Sequence, residues 1–190
     1  MSKEKTQFDL IVIGGGPGGY GAALYASAAG LEVALVENAK LGGTCLNVGC
    51  IPAKELLETA SVLRTVRHAG EFGVQIGDPR LDLTKTMERK QAVIDQLISG
   101  VEGLLKHRKV TVYNGTGSLQ SKTEVKVASV DGPEIVLSAQ NIILASGSRP
   151  RTIPGFEIDG NQILTSDELL SITEVPKSCL LYTSDAADEE

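Results

Sequence analysis

Apolar and polar residues along this chain follow three rhythms, and each predicts a different kind of element. Residues 8–13, FDLIVI, form a short unbroken apolar run that stops at glycines, as a parallel strand buried on both faces would. PGGYGAALYASAAG follows, rich in small residues, with Pro17 in its first turn and Gly30 as its stop; it predicts a helix packed closely on that strand. LEVALVE is the next strand and completes a β-α-β unit. From residue 45 to about 67 the pattern is helical beyond Pro52. A long helix is expected from 83 to about 108, where Met87, Ile94, Leu97, Ile98, Val101, Leu104 and Leu105 recur at intervals of three and four. The period then changes to two in KVTVYNG, TEVKVASV and EIVLS, with a hairpin turn at Asp131-Gly132. NIILAS is the last clear strand and leads into GSRP. The expected fold class is α/β: a Rossmann-like domain with a parallel sheet, a long helix and an antiparallel β-meander.

The glycines after the first strand add chemistry to this frame. GGGPGG places Gly14, Gly16 and Gly19 in G-x-G-x-x-G spacing between a strand and a helix. Gly14 permits the tight turn, Gly16 lets backbone approach a pyrophosphate, and Gly19 lets helix and strand pack closely, with the helix N-terminus facing the anion. Glu37 ends the second strand, where a carboxylate can accept hydrogen bonds from ribose hydroxyls. Together these residues indicate an adenine dinucleotide, without separating FAD from NAD.

Length and charge narrow the class further. The chain has 190 residues, 42% of them hydrophobic, enough for a sizeable core. Its longest apolar runs are far shorter than the roughly 20 residues that span a bilayer, and no secretory pattern follows the first residues, so a cytoplasmic protein without a membrane partner is expected. The formal charge of −6 comes with no basic stripe, which argues against nucleic acid as a partner. Three cysteines without a secretory signal do not suggest a disulfide scaffold.

Two of those cysteines lie five apart in LGGTCLNVGCIPAK. On a regular helix Cys45 and Cys50 would have Cα atoms about 8.6 Å apart, beyond the usual limit of about 7 Å for a disulfide. A bridge would therefore need a distorted helix, for which Gly42, Gly43 and Gly49 supply backbone freedom. Such a strained, short-loop bridge would be easily reduced and suited to electron transfer. Two unpaired buried thiols remain an alternative; two metal ligands are another, with the wrong spacing and no His or Cys partners nearby, so no metal is expected.

GGTCLNVGCIPAK closely resembles the redox-disulfide motif of flavin-dependent pyridine nucleotide–disulfide oxidoreductases, and within them the dihydrolipoyl dehydrogenase group. The resemblance covers roughly residues 7–178, including FDLIVIGGGPGGY, FGV, KVTVYNGTGSL, ASGSRP, TSDELL and VPKS. It implies an FAD-binding domain over residues 1–178 and a Cys45–Cys50 disulfide lying against the flavin. Cys45 would be the interchange thiol, Cys50 the flavin-side thiol, and Lys54 a cation near flavin N5. Glu37 would hold the adenosine ribose, and Gly42, Gly43 and Thr44 would line the pyrophosphate and ribityl region. Gly117 would contact adenine through its backbone, and Ser146 and Gly147 would occupy the turn near FAD. Ala53 stands where the family often has Ser, and Ser146 where it has Thr; neither change removes the thiol chemistry.

The resemblance also implies parts that this sequence does not contain: an NAD unit, a later FAD-binding Asp and a dimerisation domain carrying an acid/base His-Glu pair. His68 and His107 match no motif that could replace that pair. The chain is thus expected to stop before the NAD domain. The tail CLLYTSDAADEE back-translates into a sequence like a transposon adapter, and residues 179–190 are expected to be non-native. The expected complete enzyme is a homodimer that oxidises dihydrolipoamide on a lipoylated protein of a 2-oxo acid dehydrogenase complex and passes electrons through FAD to NAD+. A glutathione or mercuric reductase-like flavoprotein is the rival reading of the complete enzyme, and the isolated 190-residue chain is expected to be a catalytically inert FAD-binding fragment.

Overall fold

A computed structural model describes residues 5–129 and 132–181. Strand β1 (Gln7–Ile13), helix α1 (Pro17–Ala28) and strand β2 (Val33–Glu37) form the expected β-α-β unit, with β1 and β2 parallel. Gly30 takes φ +90, the left-handed turn that ends α1. Helix α2 (Gly43–Val48) and helix α3 (Cys50–Arg67) follow, then α4 (Leu83–His107). Strands β3 (Thr111–Leu119), β4 (Glu124–Ser129) and β5 (Ile135–Leu144) precede a short helix α5 (Ser166–Leu169). Asp131 of the expected hairpin turn, and residues 182–190 of the expected non-native tail, lie outside the described residues.

The sheet corrects the expectation in two ways. EIVLS and NIILAS are one strand, because β5 changes partner at Ser138 without ending: residues 135–138 pair antiparallel with β4, and residues 138–144 pair parallel with β1. Ser138 lies opposite both Glu124 and Gln7, and its N–H donates to Thr6 O at 2.8 Å. The meander is also not a separate layer. Strand β3 pairs with β2 up to Asn114 and with β4 from Gly115 onward, so the five strands close into a barrel. Glycine is required at that change of partner, since a Cβ on Gly115 would fall 2.5 Å from Ala128 O.

Closure buries the inner face of the sheet and the helices cover the outer face of β1 and β2, which explains the unbroken apolar runs of those two strands. Ile11, Ile13, Ala34, Val36, Tyr113, Val125, Val127, Leu137 and Ala139 come from all five strands and fill one cluster. Their alternate neighbours Leu10, Val12, Val33 and Leu35 join a second cluster with Ala23 of α1, Leu46 of α2, and Val101 and Leu105 of α4. Helix α4 starts as its sequence dictates, with Asp82 Oδ1 accepting from Lys85 N–H at 3.1 Å. Its buried stripe is narrower than the apolar pattern: Ile94, Val101 and Leu105 are buried, whereas Leu97 and Leu104 are exposed. A second row of α4 ties down distant segments. Arg89 pairs with Glu55 of α3, and the buried Lys90 donates from Nζ to Leu170 O at 2.5 Å. Burial pushes the Lys90 ammonium below its ordinary pKa.

Removing core volume inside the closed barrel should be expensive because few neighbours can collapse into the space. Leu137→Ala is expected to lower the unfolding free energy by about 2–5 kcal/mol in denaturant titrations, while Leu119→Ala, half exposed on β3, changes it by less than about 0.5 kcal/mol. Equal effects at both positions would contradict the packed-barrel description.

Candidate functional site

The C-terminal ends of β1, β2 and β5 converge on a cleft of about 760 Å³. Parallel strands favour ligands at this edge because the following loops and helix N-termini gather there. Gly14 takes φ +106 and donates its N–H to Val36 O at 2.8 Å; Ala145 N–H, at the exit of β5, donates to Ile13 O at 2.8 Å. A Cβ on Gly14 would fall 2.1 Å from Ala145 O, and one on Gly19 would fall 1.7 Å from Gly14 O. Backbone contact alone excludes side chains at both positions.

Gly16 is different. Its backbone is extended, φ −75 and ψ −176, and an added Cβ would meet only Gly43 Cα, at 3.6 Å. The fold tolerates a side chain there, yet Gly16 lines the cleft and keeps it open. Helix α1 begins beside it with no side-chain cap and no acidic residue in its first turn. The free N–H groups and positive dipole end at that terminus suit an anion.

Glu37 supports the loop from below. Its Oε2 accepts from Gly15 N–H at 2.5 Å and its Oε1 from Ala39 N–H at 2.8 Å. Each carboxylate oxygen keeps a second acceptor position, so Glu37 can shape the loop and still accept from a ribose hydroxyl. A second glycine pair closes the other side: Gly42 and Gly43 have φ +96 and +53, and a Cβ on Gly43 would fall 2.6 Å from Gly16 Cα. Asn47 holds this turn by donating from Nδ2 to Leu41 O at 3.1 Å and to Gly43 O at 2.9 Å.

The two cysteines sit on either side of a helix break. Helix α2 ends at Val48, Gly49 turns through φ −144 and ψ −117, and α3 starts at Cys50. A Cβ on Gly49 would lie 2.8 Å from Thr44 O, so the chain folds tightly back over the preceding turn. Half-buried Cys45 and exposed Cys50 are free thiols, and both line the cleft. The hydrogen bond to the Cys50 side chain is the main reason that Cys45 has a raised pKa; burial and the Cys50 charge add to it. The Cys50 backbone and the Lys54 ammonium act in the opposite direction.

Of the residues singled out in the sequence, the cleft gathers Gly14, Gly16, Glu37, Gly43, Thr44, Cys45, Cys50, Gly117, Ser146 and Gly147. Gly19, Gly42 and Lys54 are outside its lining. Gly19 and Gly42 act through packing, and exposed Lys54 acts through its field at Cys45. The cleft also includes Asn38, Thr116, Ser148 and Arg149, which sequence reasoning missed. Asn38 and Ser148 adjoin recognised positions, Thr116 lies between two glycines of β3, and Arg149 belongs to GSRP; the last was the one available signal, a charge in a loop leaving the sheet.

A family profile described as pyridine nucleotide-disulphide oxidoreductase matches residues 8–182. Proteins named dihydrolipoyl dehydrogenase from Bacillus subtilis and Chlorobaculum parvum are 45% and 46% identical over 184 and 187 residues, which are 93% and 98% of this chain. The chain spans 39% and 40% of those relatives. The crystal structure of LpdA from Mycobacterium tuberculosis superposes with a TM-score of 0.81 at 25% identity, covering 90% of this chain and 38% of that one. FAD and NAD(H) are the cofactors that the family implies, and the open Gly16, uncapped α1 and spare acceptors of Glu37 fit the diphosphate and ribose of a dinucleotide. From its glycine loop to its paired cysteines, this chain belongs to the pyridine nucleotide-disulphide oxidoreductase family.

Proposed function

We propose that the chain is the flavin- and disulfide-bearing part of a dihydrolipoyl dehydrogenase. The observation that carries this reading is the shared cleft, which an anion-ready glycine loop and both cysteines line. FAD, when bound, supplies a two-electron acceptor next to the thiols. Gly16 and the α1 N-terminus hold its diphosphate, Glu37 accepts from its ribose, Gly117 meets its adenine through backbone, and Ser146 and Gly147 close the turn beside it. Gly14 and Gly19 keep the loop in register; Gly42, Gly43 and Thr44 form the facing wall.

In the oxidised form a substrate thiolate attacks Cys45 Sγ. A mixed disulfide forms, the Cys45–Cys50 bond breaks, and Cys50 leaves as a thiolate. The second substrate thiol then displaces Cys45, which leaves with a proton, and the substrate departs as its own cyclic disulfide. Two electrons have moved from substrate to protein. The raised pKa of Cys45 favours its leaving with the proton. Lys54 stabilises negative charge at the pair. In the complete homodimeric enzyme FAD and NAD+ would supply the onward electron acceptors, and the substrate is dihydrolipoamide on a 2-oxo acid dehydrogenase complex. Residues 1–178 form the FAD-binding domain in this reading, and 179–190 a non-native tail.

The visible spectrum tests the proposal. The purified chain is expected to hold FAD and, after anaerobic two-electron reduction, to develop a long-wavelength charge-transfer band that Cys50→Ser abolishes. A chain that refuses added FAD, or a band indifferent to that substitution, would overturn it. Thiol reactivity tests the division of roles. In the reduced chain, alkylation of Cys45 by iodoacetamide, followed by peptide mass spectrometry, should rise with pH around a midpoint above that of an ordinary thiol. Cys50→Ala should lower the midpoint by removing the hydrogen bond and the like charge, while Lys54→Met should raise it. A midpoint that Cys50→Ala leaves in place would contradict the assignment.

A further inference from the structure

The dinucleotide reading leaves a charge problem inside the cleft. A diphosphate brings two negative charges, whereas an uncapped helix terminus offers only about half a positive charge. The residues picked out by the glycine fingerprint add one acid, Glu37, and no base. Glu37 cannot be the countercharge, and both its oxygens already accept backbone N–H groups. Among the described residues lining the cleft, Arg149 is the single cationic side chain.

Its place in the fold is specific. Strand β5 leaves the sheet at Leu144, and the next residue, Ala145, is pressed against the glycine loop, 2.1 Å from where a Cβ on Gly14 would lie and 4.0 Å from one on Gly18. Gly147, at φ +72, lets the chain turn without meeting any atom within 4 Å of an added Cβ. Arg149 follows two residues later, still on the cleft wall, and forms no ion pair among the described residues. An exposed arginine on the wall of the cleft that the anion-ready loop lines, with no carboxylate of its own, is suited to bidentate contact with phosphate oxygens.

We infer that Arg149 is a cofactor-binding residue whose guanidinium pairs with the diphosphate of FAD. This inference rests on the cleft being the FAD site. Arg149 neutralises charge that the backbone donors and helix dipole leave uncompensated, and it joins the exit of β5 to the loop after β1 through the ligand. The contribution belongs to the phosphates and not to the ring, so it is absent for a flavin without phosphate.

Equilibrium binding to the cofactor-stripped chain tests this with two probes, FAD and riboflavin, each followed by flavin fluorescence. Arg149→Gln is expected to weaken FAD roughly 10- to 100-fold, to leave riboflavin affinity unchanged, and to flatten the loss of FAD affinity with rising salt. Arg149→Lys should recover part of the affinity, and the melting temperature of the cofactor-free chain should be the same for all three proteins. Unchanged FAD affinity in Arg149→Gln, or an equal loss for FAD and riboflavin, would overturn the role of Arg149 while leaving the site intact. Failure of the unsubstituted chain to bind FAD at all would instead remove the FAD site itself, and this role with it.

Discussion

Backbone crowding at the mouth of β1 is the constraint on which the rest depends. Gly14 lies under the Ala145 carbonyl and Gly19 under the Gly14 carbonyl, so closely that neither can carry a Cβ. That contact seats the start of α1 against the exits of two parallel strands. The uncapped helix terminus consequently points into the cleft, and no side chain occupies the position that an anion would take. The same crowding explains why the residue between these two glycines has a different task. Gly16 is free of intramolecular pressure, and its missing side chain keeps space for something outside the chain.

The thiol chemistry depends on a second local break. An uninterrupted helix would carry Cys45 and Cys50 to well-separated positions. Gly49 ends α2 and restarts the helix at Cys50, so both thiols line one cleft, where the Cys50 side chain raises the pKa of Cys45. Helix α3 exposes most of its length and is tied to α4 by the ion pair between Glu55 and Arg89. Barrel closure provides the rigid base for both breaks, because β3 and β5 each bend from the parallel sheet into the meander without interruption. The site thus rests on a sheet whose first two strands are buried on both faces, while its reactive groups occupy loops and helix ends.

Much of this was legible in the residues. FDLIVI and LEVALVE announce strands buried on both faces, and the glycines between strand and helix announce the loop, because each signal is local and has a distinct steric cause. The joining of EIVLS and NIILAS was not legible: Ser138 and Gln140 resemble a polar interruption until the change of hydrogen-bonding partner is seen. Closure of the meander onto the parallel sheet was hidden for the same reason, since it depends on pairings between distant segments. In α4, Leu97 and Leu104 matched the apolar spacing yet face outward, because a stripe read from spacing cannot show how wide the covering surface is. Arg149 and Thr116 escaped notice because the approach of β3 and of the β5 exit to the glycine loop is a tertiary fact.

The most direct measurement is a paired one on Gly16→Ala, comparing the melting temperature of the cofactor-free chain with its FAD dissociation constant. The account predicts an unchanged melting temperature, because the new methyl meets only ordinary contact at 3.6 Å, together with FAD binding weakened by roughly tenfold or more. A destabilised cofactor-free chain, or FAD bound as tightly as before, would mean that this glycine serves the fold and not a dinucleotide.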